Sequence, residues 1–123
     1  AHQRELAEDY LELIADLSDA HGEARTVDLA ERLGVTAATV NSALQRLIRE
    51  GLVRKERYRS VFLTDAGQKL AEKSRVRHRI VRDFLLALGV DPETAEMDAE
   101  GLEHHTSEET LRAFEAFLDR KSQ

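Results

Sequence analysis

Residues 26–63, TVDLAERLGVTAATVNSALQRLIREGLVRKERYRSVFL, decide the fold. Thr26 is placed to cap a short helix carrying Val27, Leu29, Ala30 and Leu33, and Gly34 stops it. Thr36 caps a second, longer helix. Its Val40, Leu44, Leu47 and Ile48 recur at three- and four-residue steps, so one apolar stripe faces inward until Glu50 and Gly51 end the run. Leu52 and Val53, a charged tip from Arg54 to Ser60, and Val61, Phe62 and Leu63 give the one convincing strand signal, read as a two-stranded wing. Helix, tight turn, helix and basic hairpin, in that order, make a winged helix-turn-helix, a unit whose second helix fits a major groove.

The side of that second helix away from the stripe carries Thr36, Ala38, Thr39, Asn41, Ser42 and Gln45, small and polar groups suited to base edges. Arg46 and Arg49 fall on its flank. The wing adds Arg54, Lys55, Arg57 and Arg59 for phosphate or the adjacent minor groove. Any one of these cations alone is better read as a solubilising surface charge. Six of them in residues 41–60, against only Glu50 and Glu56, point to double-stranded DNA.

Outward from this unit the chain is helical. Residues 4–20 repeat Leu6, Tyr10, Leu13, Ile14 and Leu17 on one face, and His21-Gly22 closes the helix. Thr64, with Asp65 in the first turn, starts a long helix whose Leu70, Val76, Ile80, Val81, Phe84, Leu85 and Leu88 continue the pattern to Gly89. After Val90-Asp91-Pro92 the spacing predicts helices over 93–105 and 107–119, the second begun by Ser107 and carrying Thr110, Leu111, Phe114 and Leu118. The fold class is mainly α. Residues 1–66 read as the winged helix-turn-helix DNA-binding domain and 67–123 as a helical metal-binding and dimerisation domain.

The 123 residues hold no Cys, which removes disulfides, thiolate nucleophiles and sulfur-rich zinc sites, so any metal must use oxygen and imidazole. Two units this small bury little apolar surface alone, and a partner subunit is expected. No apolar run reaches the roughly 20 residues of a membrane helix. The first ten residues, AHQRELAEDY, lack the apolar core of a signal peptide, so a soluble, cytoplasmic protein is expected. The net charge of −6 argues against indiscriminate coating of nucleic acid. It is unevenly spread. From Asp91 to Asp119 ten acids (Asp91, Glu93, Glu96, Asp98, Glu100, Glu103, Glu108, Glu109, Glu115, Asp119) face one base, Arg112, and that end should attract cations.

Within the acidic end Glu100, Glu103 and His104 stand at i, i+3 and i+4, two carboxylates and an imidazole on one helical face. The spacing alone leaves a solvated acidic face and a metal site both open. Further donors come from Asp9 and Glu12 on the first helix and from His78, flanked by Arg77 and Arg79, on the long one. Asp9 and Glu12 also read as acids complementing a helix dipole, and His78 as an exposed helix residue. His105, about 100° round the helix from His104, is expected to face solvent or support a ligand; His2 and His21 read as surface. Taken together, Asp9, Glu12, His78, Glu100, Glu103 and His104 offer four carboxylates, two imidazoles and no sulfur. By geometry this hard set suits Mn(II) or Fe(II) better than copper or zinc, although raw affinity favours the later metals. With the site empty the carboxylates repel, and one or two divalent ions relieve that repulsion.

ELAEDYLELIADL at the start, FLLALGVDPETA ending the long helix and DAEGLEHHTSEETL after it give the chain a strong resemblance, over nearly its whole length, to the manganese-responsive regulators of the diphtheria-toxin-repressor (iron-dependent repressor) family. The resemblance implies a homodimer with an N-terminal winged helix, a C-terminal helical dimerisation domain and metal between them. It implies that Asp9, Glu12, His78, Glu100, Glu103 and His104 hold a pair of manganese ions, with Glu100 and Glu103 as bridges and the Glu100 carbonyl as a further donor. Iron-sensing relatives place Met or Cys where this chain has Asp9 and Glu100, so oxygen donors there favour manganese. Two departures stand out: relatives often carry a longer polar or basic side chain at Ser42, and the chain stops at Gln123 without the SH3-like third domain of some members. Ala1 is not an initiator Met, and a longer N-terminal leader is expected.

Two other classes compete. A metal-independent winged-helix regulator with an organic ligand accounts for the basic wing but not for the convergent acids. A dinuclear hydrolase accounts for the acids, but no nucleophile, oxyanion donor or phosphate-cradling glycine loop accompanies them, and no enzyme activity is expected.

Overall fold

The computed structural model describes residues 2–56 and 60–122, with side chains from Leu6 onward. In chain order it contains α1 (His2–His21), β1 (Ala24–Arg25), α2 (Thr26–Leu33), α3 (Ala37–Arg49), β2 (Val53–Lys55), β3 (Ser60–Leu63), α4 (Asp65–Ala87), α5 (Pro92–Leu102), a 3-10 turn (Glu103–His105) and α6 (Glu108–Ser122). The mainly helical class and the winged helix expected from sequence are both present. The chain falls into two compact units, residues 1–72 and 73–123, with the division inside α4.

In the first unit the apolar stripes of α1, α2 and α3 close on one core, where Leu11, Ile14, Leu29, Val40, Leu44 and Leu47 are buried with Ala24, Val53 and Val61 of the strands. Leu6, expected on the buried stripe, is exposed, and Leu11, which the stripe omitted, is fully buried. Gly34 ends α2 in a left-handed conformation, φ 67°. Its N–H reaches the Glu31 carbonyl at 3.3 Å and that of Val35 reaches Ala30 at 3.1 Å, a double closure that turns the chain sharply into α3. Thr36 caps α3 as expected, accepting from the Thr39 N–H at 3.1 Å.

Thr26 does not cap α2. It is the first helical residue and is buried, and Arg25 before it makes no side-chain cap bond. The reason is a strand absent from the sequence reading: Ala24–Arg25 pairs antiparallel with β3, giving a sheet of order β1-β3-β2 in place of a two-stranded wing. Two residues are too few for an alternating pattern to be legible. At the other end of the wing Thr64 caps α4, its hydroxyl oxygen accepting from the Gly67 N–H at 3.1 Å and donating to the Gly51 carbonyl at 2.6 Å.

The second unit is thinly cored. Val81, Ala99 and Leu111 are buried, with Ile80, Leu85 and Phe114 packed around them. Phe84 stacks on Phe114 with ring centres 3.9 Å apart and meets Phe117 edge-on at 5.4 Å. Lys121 closes the end of α4, donating to the Ala87 carbonyl at 2.7 Å. Leu86, Leu88, Met97 and Leu102 are exposed.

Candidate metal centre and nucleic-acid face

Asp91 starts α5, accepting from the N–H groups of Glu93 and Thr94, and Pro92 occupies the first helical position, where its missing N–H costs nothing. Ala95 and Ala99 turn inward, which leaves Glu96 and Glu100, one turn apart, on a different side of α5. The helix does not run on to 105 as the sequence pattern predicts. It ends at Leu102 and tightens into the 3-10 turn. Side chains take over the last carbonyls: the Thr106 hydroxyl donates to Leu102 O at 2.5 Å, and Arg77 donates to Glu103 O from Nε at 3.3 Å and Nη2 at 2.9 Å. Arg77 Nη2 also reaches Thr106 O at 2.6 Å and Nη1 the Glu108 carboxylate at 2.8 Å.

The tightened turn swings Glu103 fully inside the unit, 0% exposed. Its Oε1 lies 3.5 Å from His78 Nδ1 and 3.6 Å from His104 Nε2, and Glu100 Oε1 lies 3.7 Å from the same His78 nitrogen. Both imidazoles are largely buried, their side chains 14% and 4% exposed. These separations exceed hydrogen-bonding distance. The buried His78 Nδ1 makes no hydrogen bond to any described residue. Donor atoms each about 2.0–2.6 Å from one hard cation lie roughly 3–4 Å from one another, so the spacing fits a shared ion. A cation beside a buried carboxylate favours its ionised, metal-binding form. The residues present therefore fit a divalent metal.

Of the sequence-predicted ligands, His78, Glu100, Glu103 and His104 come together in the second unit. Asp9 and Glu12 stand three residues apart on α1 of the first unit, both half-buried. His105 and His21 are exposed. Two residues were missed. Glu96 accepts from, or donates to, His78 Nε2 across 2.7 Å, and its four-residue step to Glu100 was the signal available. Arg77, noted only as a neighbour of His78, is the clamp on the turn.

In the first unit Ala38, Thr39, Asn41, Ser42, Gln45 and Arg49 are exposed along α3, as are Thr36, Arg54 and Lys55. Arg46 is half-buried, its Nε 3.2 Å from Glu50. Arg54 pairs with Glu56 at 3.2 Å and lies over the Phe62 ring. Arg57 and Arg59 lie outside the described residues. A cavity of about 620 Å³ between α2, α3 and β2 is lined by Arg25, Val27, Asn41 and Lys55 among others. Val27, one of the apolar residues of the short helix, is 64% exposed. Arg25 joins the basic surface because β1, invisible in the pattern, presents it.

Residues 4–61 match the N-terminal DNA binding domain of the iron dependent repressor, and residues 64–123 match its metal binding and dimerisation domain. The chain belongs to the iron-dependent repressor family. As a member of that family it is a transcriptional regulator, and the family is not one of enzymes. The transcriptional regulator MntR of Escherichia coli O6:H1 is 58% identical over 120 residues, covering 98% of this chain and 77% of that protein. The transcriptional regulator MntR of Salmonella typhimurium is equally 58% identical, over 98% of this chain and 76% of its own. Among solved structures, a manganese-dependent transcriptional repressor in complex with manganese is 34% identical with a TM-score of 0.83, covering 92% of this chain. The chain spans about half of that structure, 52%.

Proposed function

We propose that the chain is a manganese(II)-responsive repressor of manganese homeostasis or transport genes that binds operator DNA as a homodimer when its metal centre is filled. The observation that carries the reading is Glu103, fully buried between His78 Nδ1 and His104 Nε2. His78 and His104 present imidazole nitrogens, and Glu100 and Glu103 present carboxylates with two oxygens each, suited to bridging. Asp9 and Glu12 supply the remaining oxygens. Four carboxylates and two imidazoles offer more donor atoms than one octahedral ion takes, which favours two ions per subunit. When bound, such ions supply the positive charge that relieves carboxylate repulsion and offsets the burial of Glu103.

The donor set contains no sulfur, as suits manganese, and a manganese-dependent repressor is among the similar solved structures. Donors from α1 and from α4 to the 3-10 turn would each be ordered by bound metal. The paired α3 helices would then be held for successive major grooves, about 34 Å apart, with less entropy left to lose on DNA. Exposed Leu86, Leu88, Met97 and Leu102 on a thin core suit a second copy. Among the described residues no helix is long and apolar enough to cross a membrane, and a role on operator DNA supports a cytoplasmic reading.

The test is selection of duplexes from a random library by the purified chain with Mn(II), repeated with chelator at the same salt. Enrichment of a palindrome only with Mn(II) supports the reading. Equal enrichment in chelator keeps the winged helix and overturns the metal switch.

A further inference from the structure

Of the carboxylates around His78, Glu96 faces a different ring atom from the others. Its Oε1 is 2.7 Å from His78 Nε2, whereas Glu100 and Glu103 face Nδ1 at 3.7 and 3.5 Å. We infer that Glu96 is a positioning residue: its carboxylate binds the Nε2–H of His78 and so aims the Nδ1 lone pair at the metal position. The inference rests on the metal-centre reading above.

An ionised carboxylate only accepts, so the short contact places the proton on Nε2. A neutral imidazole carries one N–H, and Nδ1 is left as the donor atom. It is also the buried nitrogen that no described residue hydrogen-bonds. A metal-bound His characteristically gives its second N–H to a carboxylate, which fixes tautomer and ring plane and raises ligand basicity. A third group stands near Glu96, although that group's hydrogen bonds, at 3.2 and 3.1 Å, go to Asp83. Arg82 stands one turn after His78 on α4, and its Nη1 is 3.9 Å from Glu96 Oε2. The two oxygens of Glu96 thus face an imidazole at hydrogen-bond distance and a guanidinium at ion-pair distance, both from one helix face. Glu96 and its neighbour Glu100 divide the work across the ring: one orients, the other faces the donor nitrogen.

The experiment uses the full 123-residue chain as wild type, Glu96→Ala and Glu96→Gln. Nitrogen-15 spectra of the metal-free proteins read the His78 tautomer, and calorimetric titration reads Mn(II) affinity. Expected are a protonated Nε2 and bare Nδ1 in wild type, mixed tautomers in Glu96→Ala with Mn(II) affinity down about 10–100-fold, and recovery of most of both by Glu96→Gln, whose amide oxygen still accepts. Three results overturn the inference. Glu96→Ala with wild-type tautomer and affinity leaves Glu96 idle. Glu96→Gln as weak as Glu96→Ala, with the tautomer unchanged, makes Glu96 a ligand. Wild type that binds no Mn(II) removes the metal reading itself, and is told apart because the loss is then not confined to the variants.

Discussion

Arg77 grips the backbone of Glu103, its Nε and Nη2 at 3.3 and 2.9 Å from the carbonyl oxygen, and never needs the Glu103 carboxylate to do so. The guanidinium fixes where the buried carboxylate sits while leaving its charge for something else. Lysine puts its three donors on one nitrogen at the end of a flexible stem and lacks the flat fork by which Arg77 reaches these acceptors from separate nitrogens. Arg77→Lys is therefore expected to speed amide exchange across residues 103–106 and to weaken Mn(II) binding. Arg77→Ala, which strands two carbonyls, is expected to cost on the order of 3 kcal/mol in denaturant titrations. Unchanged exchange in Arg77→Lys would remove the clamp from the account.

Glu103→Gln separates the metal response from folding. Gln fills the same space without a buried charge, so in chelator the variant is expected to melt at or above the wild-type temperature. The rise in melting temperature that Mn(II) gives wild type is expected to vanish. A full Mn(II)-dependent rise in Glu103→Gln would take Glu103 out of the donor set.

How much of this was legible in the sequence depended on the length of each signal. The stripes of α1, α3 and α4 each span several turns, and Val40, Leu44 and Leu47 are buried as their spacing requires. The two-residue β1 offered no period, and with it went the cap of α2, the third strand and Arg25. At the candidate metal centre the E-x-x-E-H step named Glu100, Glu103 and His104, but not the change from α-helix to 3-10 turn that buries Glu103. That change depends on Arg77, 26 residues away in the chain, and no local pattern records a side chain taking over distant carbonyls. Glu96 was one acid among ten until His78 Nε2 singled it out.

Gly67 shows a close approach that only glycine permits. It sits in the first turn of α4, where a Cβ would run into the carbonyl oxygen of Leu52. That carbonyl accepts from the Thr64 N–H at 3.1 Å, so it cannot move without breaking the start of α4. Gly67→Ala, which should gain about 1 kcal/mol in an open helix, is instead expected to destabilise by roughly 1–3 kcal/mol. A stabilised variant would refute the contact.

Glu23 gives a pH dependence with a defined sign. The Ser60 hydroxyl donates to it at 2.8 Å and Arg25 Nε at 2.7 Å, and these bonds hold its carboxyl below the ordinary glutamate value. A depressed pKa in the folded state stabilises above the unfolded pKa and is lost as pH falls through the folded one. The melting-temperature difference between wild type and Glu23→Gln is therefore expected to be constant above about pH 5 and to shrink below about 4.3, the unfolded value. Parallel melting curves over that range would show that the bonds carry no linkage.

The exposed cations and the polar face of α3 should separate in salt. Arg49, in the last turn of α3, and Lys55, on β2, are exposed cations, and each is expected to hold phosphate. Arg49→Ala and Lys55→Ala should weaken Mn(II)-loaded binding to every duplex alike, and each should reduce the slope of log affinity against log salt by about 1. Asn41 is short, polar and exposed on α3 and lines the same cavity as Lys55, which suits it to a base edge. Asn41→Ala should cost about 1–3 kcal/mol on the preferred duplex, little on a scrambled one, and leave the slope unchanged. Anisotropy titrations at four salt concentrations on both duplexes decide it. If Asn41→Ala flattened the slope, or Lys55→Ala altered sequence preference, the two roles would have to be exchanged.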